Sequence, residues 1–178
     1  GPTPSGVPPM AAFGEGYRTH FTGLYHGRKG LPTSNPRLVD ELQQRIHAKL
    51  QTPAAKRDIL KTERFFSDDA EVLVIAYGIT SRAAKDAIIG ARAEGLKAGL
   101  LRPVTLWPSD AETIIEALGR VRRVVVAELN LGQYRLEVER LAYEAARRFG
   151  KIPPEVVGLH RVDTRMITPA DILQEVRK

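Results

Sequence analysis

The chain of 178 residues contains no cysteine. This absence excludes a disulfide framework, a cysteine-ligated zinc ion or iron–sulfur cluster, and a thiol nucleophile. Any redox chemistry in which the chain takes part must therefore use a cofactor that a partner holds.

Other signatures are missing as well. No apolar run approaches the ~18 residues that span a membrane, and the N-terminus lacks a basic-then-apolar signal pattern, so we expect a cytoplasmic protein. The four histidines show no His-x-x-x-His spacing, and no serine lies in a Gly-x-Ser-x-Gly motif. We therefore expect no metal site and no catalytic centre in this chain alone.

Nucleotide-binding and nucleic-acid-binding patterns are weak. The pair Gly14-Glu15-Gly16 does not lie between a predicted strand and helix, as a dinucleotide loop would. Gly78–Ser81 occupies such a position but has no lysine or glycine-rich loop, so a packed turn is favoured over an anion site. The net charge is +6, but the basic residues are scattered, which favours a solvated surface or subunit contact over nucleic acid.

The N-terminal part predicts an irregular arm followed by one helix. Residues 1–35 are rich in proline, glycine and aromatic residues and have no helical period. Asn35-Pro36 then begins an amphipathic helix with Leu38, Leu42, Ile46 and Leu50 on one stripe, which Thr52-Pro53 ends. We take 1–69 as a lead-in and 70–178 as the main domain.

Short apolar runs alternate with helical patterns from residue 70 onward. Strands are predicted at 72–77, 96–101, 124–128 and 156–162, with helices after each, the first capped by Thr80 or Ser81 and the last by Thr168. This alternation predicts a three-layer α/β/α fold with a mostly parallel sheet. The loops 78–81, 102–110 and 128–133 would then lie together at the carboxyl ends of the strands, where such folds form their functional crevice.

An ordered set of short motifs resembles one family. The set comprises Gly6–Ala11, Thr22-Gly23 with His26, Tyr77-Gly78 with Arg82, Leu101–Pro108 and Glu128–Gln133. Together they resemble α subunits of 2-oxoacid:ferredoxin oxidoreductases, particularly the 2-oxoglutarate oxidoreductases. The resemblance covers nearly the whole chain but only part of the family's subunit, because the thiamine-pyrimidine-binding domain is missing.

The resemblance implies a fold and a role. The family's final domain is similar to the C-terminal domain of transketolase, whose mixed sheet has one antiparallel strand. The whole enzyme would oxidatively decarboxylate a 2-oxoacid with thiamine diphosphate, magnesium and an iron–sulfur cluster, none bound by this chain alone, and would form an acyl-coenzyme A. The chain's partners would be the pyrimidine-binding domain, the β subunit and, through the complex, ferredoxin.

We expect an interface or active-site rim, drawn from the family motifs and the strand ends, at Thr22, Gly23, His26, Arg82, Arg102, Glu128, Asn130, Gly132 and Gln133. Two alternatives stay open. Glu128 can instead cap the following helix, and the Asn130 and Gln133 amides can cap their own loop instead of contacting a partner. The other function class is an independent small-ligand or nucleotide-binding module, which would need a polar pocket at the strand ends.

Overall fold

The computed structural model describes residues 3–4, 9–18 and 22–178. The arm residues 6–8 of the first family motif, together with His20 and Phe21, lie outside these ranges. The chain divides into two compact units, Gly1–Asp58 and Ile59–Lys178. Each unit is described by itself.

Helices form the regular part of the N-terminal unit. Helix α1 (Pro36–Gln51) begins where the sequence predicts, and Asn35 caps it by accepting a hydrogen bond from the Leu38 N–H at 3.3 Å. Helix α2 (Pro53–Ile59), which the sequence did not predict, follows after Thr52. Neither helix has a buried residue.

The C-terminal unit is built around a five-stranded sheet. In chain order its elements are β1 (Thr62–Phe65), β2 (Val72–Ala76), α3 (Thr80–Ala93), β3 (Ala98–Pro103), α4 (Ala111–Leu118), β4 (Arg123–Glu128), α5 (Gln133–Phe149), β5 (Glu155–His160) and α6 (Pro169–Val176). The strand order is β1-β3-β2-β4-β5. Every pairing is parallel except that of β1 with β3, which is antiparallel.

Alternate residues of the central strands enter two separate cores. Leu73 and Ile75 of β2 pack with α4 and α5 on one face, whereas Val72, Val74 and Ala76 pack with α3 and α6 on the other. Helices on both faces explain why β2 and β4 are buried along their whole length. The predicted three-layer fold, including the antiparallel strand implied by the family resemblance, is confirmed.

Several local predictions are confirmed and two need correction. The predicted start of α6 is confirmed by a capping box at Thr168, and Gly95 and Gly150 adopt the left-handed conformation after α3 and α5. Within the described ranges no side chain caps α3, because the Ser81 hydroxyl donates to the Gly78 carbonyl instead. Strand β1 was not predicted, because its polar residues have no run of buried positions.

Candidate functional site at the carboxyl edge of the sheet

The strand order creates a switch point between β2 and β4. From β2 the chain passes through α3 to β3 on one side, and from β3 it passes through α4 to β4 on the other side. In an open α/β sheet, a crevice forms between two neighbouring parallel strands when the connections that leave their carboxyl ends lead to opposite sides of the sheet. The segments that follow β2 and β4 therefore meet at this edge.

Glu128 lies at the centre of this edge and is fully buried. Its carboxylate accepts hydrogen bonds from the backbone N–H groups of Tyr134 and Arg135, each at 3.0 Å, and from the Tyr77 hydroxyl at 2.9 Å. The two N–H groups belong to the first turn of α5, where the helix dipole favours a negative charge. The buried carboxylate thus has the helix-capping role that the sequence left as an alternative.

Tyr77 connects Glu128 to the following loop. Its hydroxyl donates to Glu128 and accepts from the Asn130 side-chain amide at 2.7 Å. Burial, together with the neighbouring Glu128 carboxylate, raises the pKa of Tyr77 to about 12, so the phenol keeps its proton at neutral pH. The Tyr77 ring also meets Tyr134 edge to face, with 5.4 Å between ring centres.

Tyr134 is the second tyrosine of this cluster and is itself buried. Burial raises the pKa of its phenol well above the usual range. Its hydroxyl oxygen is buried and has no hydrogen-bond partner within the described part of the chain. The two tyrosines therefore contribute neutral hydroxyl groups at neutral pH.

Asn130 organises the loop between β4 and α5. Its Oδ1 accepts from the backbone N–H groups of Gly132 at 2.7 Å and Gln133 at 3.2 Å. Gly132 has a φ of 98°, a left-handed conformation that glycine adopts without strain. The Oε1 of Gln133 accepts from the Leu131 N–H at 3.0 Å. Asn130 thus makes three of the four hydrogen bonds open to an amide within this chain, as the loop-capping alternative describes.

His160 completes the cluster from the neighbouring strand. It is the parallel register partner of Glu128, and its Nε2 lies 3.6 Å from the Glu128 Oε1. The imidazole ring lies against Gly132 and Gly158, where a Cβ at either position would collide with it. Sequence reasoning did not assign His160 to the site, although pairing the ends of two predicted neighbouring strands would have placed it beside Glu128.

The chemistry open to this cluster follows from its burial. The Glu128 side chain has no exposed surface, and its oxygens already accept from two backbone groups and a phenol. A carboxylate so enclosed cannot reach a substrate proton in this arrangement. Over the described ranges 3–4, 9–18 and 22–178, no three His, Asp or Glu side chains lie close enough to hold a metal ion. The Glu128 carboxylate instead joins the end of β4 to Tyr77 and to the first turn of α5.

The other predicted site residues belong to other segments of the chain. Arg82 and Arg102 line a separate cavity beside the first turn of α3. Thr22, Gly23 and His26 belong to the N-terminal unit, where the Thr22 hydroxyl accepts from the Leu24 N–H at 3.2 Å and His26 forms a single antiparallel bridge with Pro32. Glu128, Asn130, Gly132 and Gln133 are brought together around one loop.

Exposed apolar side chains follow three strands at this same edge. They are Ile79 after β2, Val104, Leu106 and Trp107 after β3, and Leu129 and Leu131 after β4. Leu131 is 78% exposed and Trp107 is 69% exposed. We call these six residues the apolar rim. Exposed apolar side chains that gather at one edge of a folded domain favour a protein–protein contact.

The sheet order and the layers define the fold class of the transketolase C-terminal domain. A solved split-gene transketolase, described as an inactive β4 tetramer, superposes with a TM-score of 0.55 over 66% of this chain and 40% of the other, at 23% identity. At that identity the likeness concerns the fold alone.

The family is narrower than the fold. The family model described as pyruvate:ferredoxin oxidoreductase core domain II matches residues 70–172, and the chain belongs to this family. Over 86% of its length the chain is 38% identical to the 2-oxoglutarate synthase subunit KorA of Methanothermobacter marburgensis, and over 78% it is 39% identical to that of Methanocaldococcus jannaschii. The matches cover 40% and 37% of those relatives, so the chain spans about two fifths of their length.

A solved structure extends the likeness over almost the whole chain. The 2-oxoglutarate:ferredoxin oxidoreductase from Magnetococcus marinus, with 2-oxoglutarate, coenzyme A and succinyl-CoA bound, superposes with a TM-score of 0.69 at 26% identity. The match covers 99% of this chain and 29% of that one.

The described residues contain no helix long and apolar enough to cross a membrane.

Proposed function

We propose that this chain is a non-catalytic assembly domain of a 2-oxoacid:ferredoxin oxidoreductase α subunit and forms one wall of that enzyme's active site. The whole enzyme would oxidise 2-oxoglutarate or a related 2-oxoacid to an acyl-coenzyme A in the cytoplasm. Its partners would be the pyrimidine-binding domain of the same subunit, the β subunit and, through the complex, ferredoxin. The single observation that carries the proposal is the match of residues 70–172 to domain II of this enzyme core.

The carboxyl edge of the sheet supports a partner-facing role. The hydrogen bonds of Glu128 and Asn130 go to the loop itself and to the first turn of α5. They fix the backbone of the loop, and the Leu131 side chain on that loop is exposed. The apolar rim that results suits contact with protein better than contact with water. An independent ligand-binding module would instead need open polar groups at this edge, and the Glu128 carboxylate is enclosed.

Thiamine diphosphate would be held by other domains of the enzyme. Its diphosphate binds through a magnesium ion that needs several oxygen ligands, and the described residues bring no three acidic or histidine side chains together. An iron–sulfur cluster would need cysteine thiolates, of which the sequence has none. These residues do not fit either group, and we derive no step of the reaction through them.

The proposal is tested in the complete enzyme that contains this chain. Leu131→Ser removes the most exposed apolar side chain of the rim without touching the core. We expect it to weaken association of the subunits and to lower the rate of ferredoxin reduction that depends on 2-oxoglutarate and coenzyme A. Analytical ultracentrifugation and a reduction assay measure the two effects.

A matched control is available at the opposite edge. Ile152 is 90% exposed in the segment before β5, at the amino ends of the strands, so Ile152→Ser changes a similar side chain away from the rim. It should leave assembly and activity unchanged. A complete enzyme that reduces no ferredoxin with any 2-oxoacid would contradict the proposed activity, whereas equal effects of the two substitutions would contradict the proposed interface.

A further inference from the structure

A cavity of about 280 Å³ opens beside the first turn of α3, next to the edge pair β1–β3. Three of its lining side chains are cationic, Arg82, Lys85 and Arg102, and one is acidic, Glu63; the Arg64 side chain lies on the opposite face of the sheet, where it contacts Glu116. The remaining lining residues are Phe65, Ser81 and Leu100. The cavity therefore presents an excess of positive charge over a small concave surface.

One of these cations is already paired. The Nη1 of Arg102 contacts the Glu63 carboxylate at 3.1 Å. The Arg102 side chain is nevertheless 42% exposed, and a guanidinium has five N–H donors, so donors remain for a further acceptor.

The other two cations come from one face of α3. Arg82 and Lys85 are three residues apart, a spacing that places side chains side by side on a helix. Neither forms an ion pair with a carboxylate in the described part of the chain, and the Lys85 ammonium lies 5.0 Å from the centre of the Phe65 ring. Both charges are therefore available to an incoming anion.

The start of α3 adds to the same potential. In the described part of the chain no side chain caps this helix of 14 residues, because the Ser81 hydroxyl donates to the Gly78 carbonyl. Backbone N–H groups in an uncapped first turn point towards the space before the helix, and the helix dipole favours negative charge there. The loop Gly78–Ser81 has no lysine of its own, which a phosphate-binding loop would have. Lys85, one turn further along α3, provides a cation at this site.

We propose that this cavity binds a phosphate or diphosphate group, held by Arg82, Lys85 and the exposed part of the Arg102 guanidinium. This site is distinct from the assembly role above and does not depend on it. The ligand chemistry has two sources, a free inorganic anion or the phosphates of a nucleotide. Arginine and lysine side chains around a concave site are suited to either source.

Calorimetry on the full 178-residue chain at low ionic strength tests the proposal with inorganic pyrophosphate as the probe. We expect saturable binding with a Kd of about 1 mM or below. Arg82→Gln should weaken it by about tenfold, because one charge-assisted contact is lost. Arg102→Gln should weaken it similarly. Arg122→Gln removes the same charge from the exposed segment before β4, at the opposite edge, and should leave Kd within about twofold.

Two further probes identify the source of the phosphate. If ADP binds tighter than pyrophosphate and adenosine does not bind, the site takes a nucleotide, and equal affinities for ADP and pyrophosphate indicate the inorganic anion. Both results support a phosphate site. The absence of pyrophosphate binding at about 10 mM, or an equal loss in Arg122→Gln and Arg82→Gln, would overturn it. Thermal unfolding without ligand checks that each variant folds. If Arg102→Gln does not fold, the affinity of Arg82→Gln decides the test.

Discussion

Replacing Glu128 by glutamine tests whether the buried carboxylate holds the carboxyl edge together. Glutamine keeps the shape of glutamate and one acceptor oxygen, but it places an NH2 group where the second oxygen accepts. One of the Tyr134 and Arg135 N–H groups would then face a donor at the start of α5. Both N–H groups also lose the negative charge that the helix dipole favours.

The expected cost can be worked from these contacts. Leaving one buried backbone donor unsatisfied costs about 1–3 kcal/mol, and losing the charge at the helix N-terminus costs about 1 kcal/mol. Glutamine is neutral, so the variant avoids the desolvation cost of a buried charge, and this gain offsets part of the loss. We therefore expect Glu128→Gln to lower the free energy of unfolding by about 2–3 kcal/mol, or to lower the Tm by about 10 °C.

Urea denaturation followed by fluorescence measures the effect in the correct unit. The chain has one tryptophan, Trp107, which lies in the C-terminal unit and reports on its unfolding. Glu144→Gln is the matched control, because Glu144 pairs with Arg140 on the exposed face of α5 and should cost below about 0.5 kcal/mol. A Glu128→Gln variant as stable as this control would refute the capping role.

Three further predictions concern the same unit and the cofactors of the proposed enzyme. Asn130→Ala should lower the free energy of unfolding by about 2 kcal/mol, because two backbone N–H groups and Tyr77 lose a partner. Gln133→Ala removes one acceptor from an exposed loop and should cost below about 0.5 kcal/mol. Equal stabilities of the two variants in urea denaturation would contradict this. Because the pKa of Tyr77 is raised from 10.0 to about 12, its contribution is complete below pH 10 and is lost as the pH rises towards 12. Tyr77→Phe should shrink this alkaline loss without abolishing it, since the pKa of Tyr134 is also raised, and an unchanged pH profile of unfolding would count against the assignment. The chain alone should bind neither thiamine diphosphate nor magnesium. Calorimetry that gives a Kd in the low micromolar range, a binding free energy of about −8 kcal/mol, would contradict this.

The sequence predicted the buried elements well because their signals are local. Strands β2 and β4 are uninterrupted apolar runs, and Thr168 begins α6 with a recognisable capping box. Strand β1 was missed because Thr62–Phe65 is a polar edge strand whose stability comes from pairing with β3, a contact distant in sequence. The predicted cap of α3 failed because the Ser81 hydroxyl prefers a nearby carbonyl.

The site was predicted only in part, for the same reason. Glu128 and Asn130 were found from their place between a strand and a helix, but a sequence cannot decide whether such groups face a partner or their own backbone. The parallel register of β5 places His160 beside Glu128, and the missed strand β1 brings Glu63 to the cationic cavity. The partner-facing role of the predicted site residues remains a proposal.

Hydrogen exchange tests the central claim most directly, by comparing the isolated chain with the complete enzyme that contains it. The account predicts that amides in 104–107 and 129–132, which carry most of the apolar rim, become more protected in the enzyme. Segments at the opposite edge, 119–122 and 150–152, should exchange at similar rates in both. Unchanged exchange in the rim, or equal protection at both edges, would contradict the claim that the carboxyl edge of this sheet faces a partner.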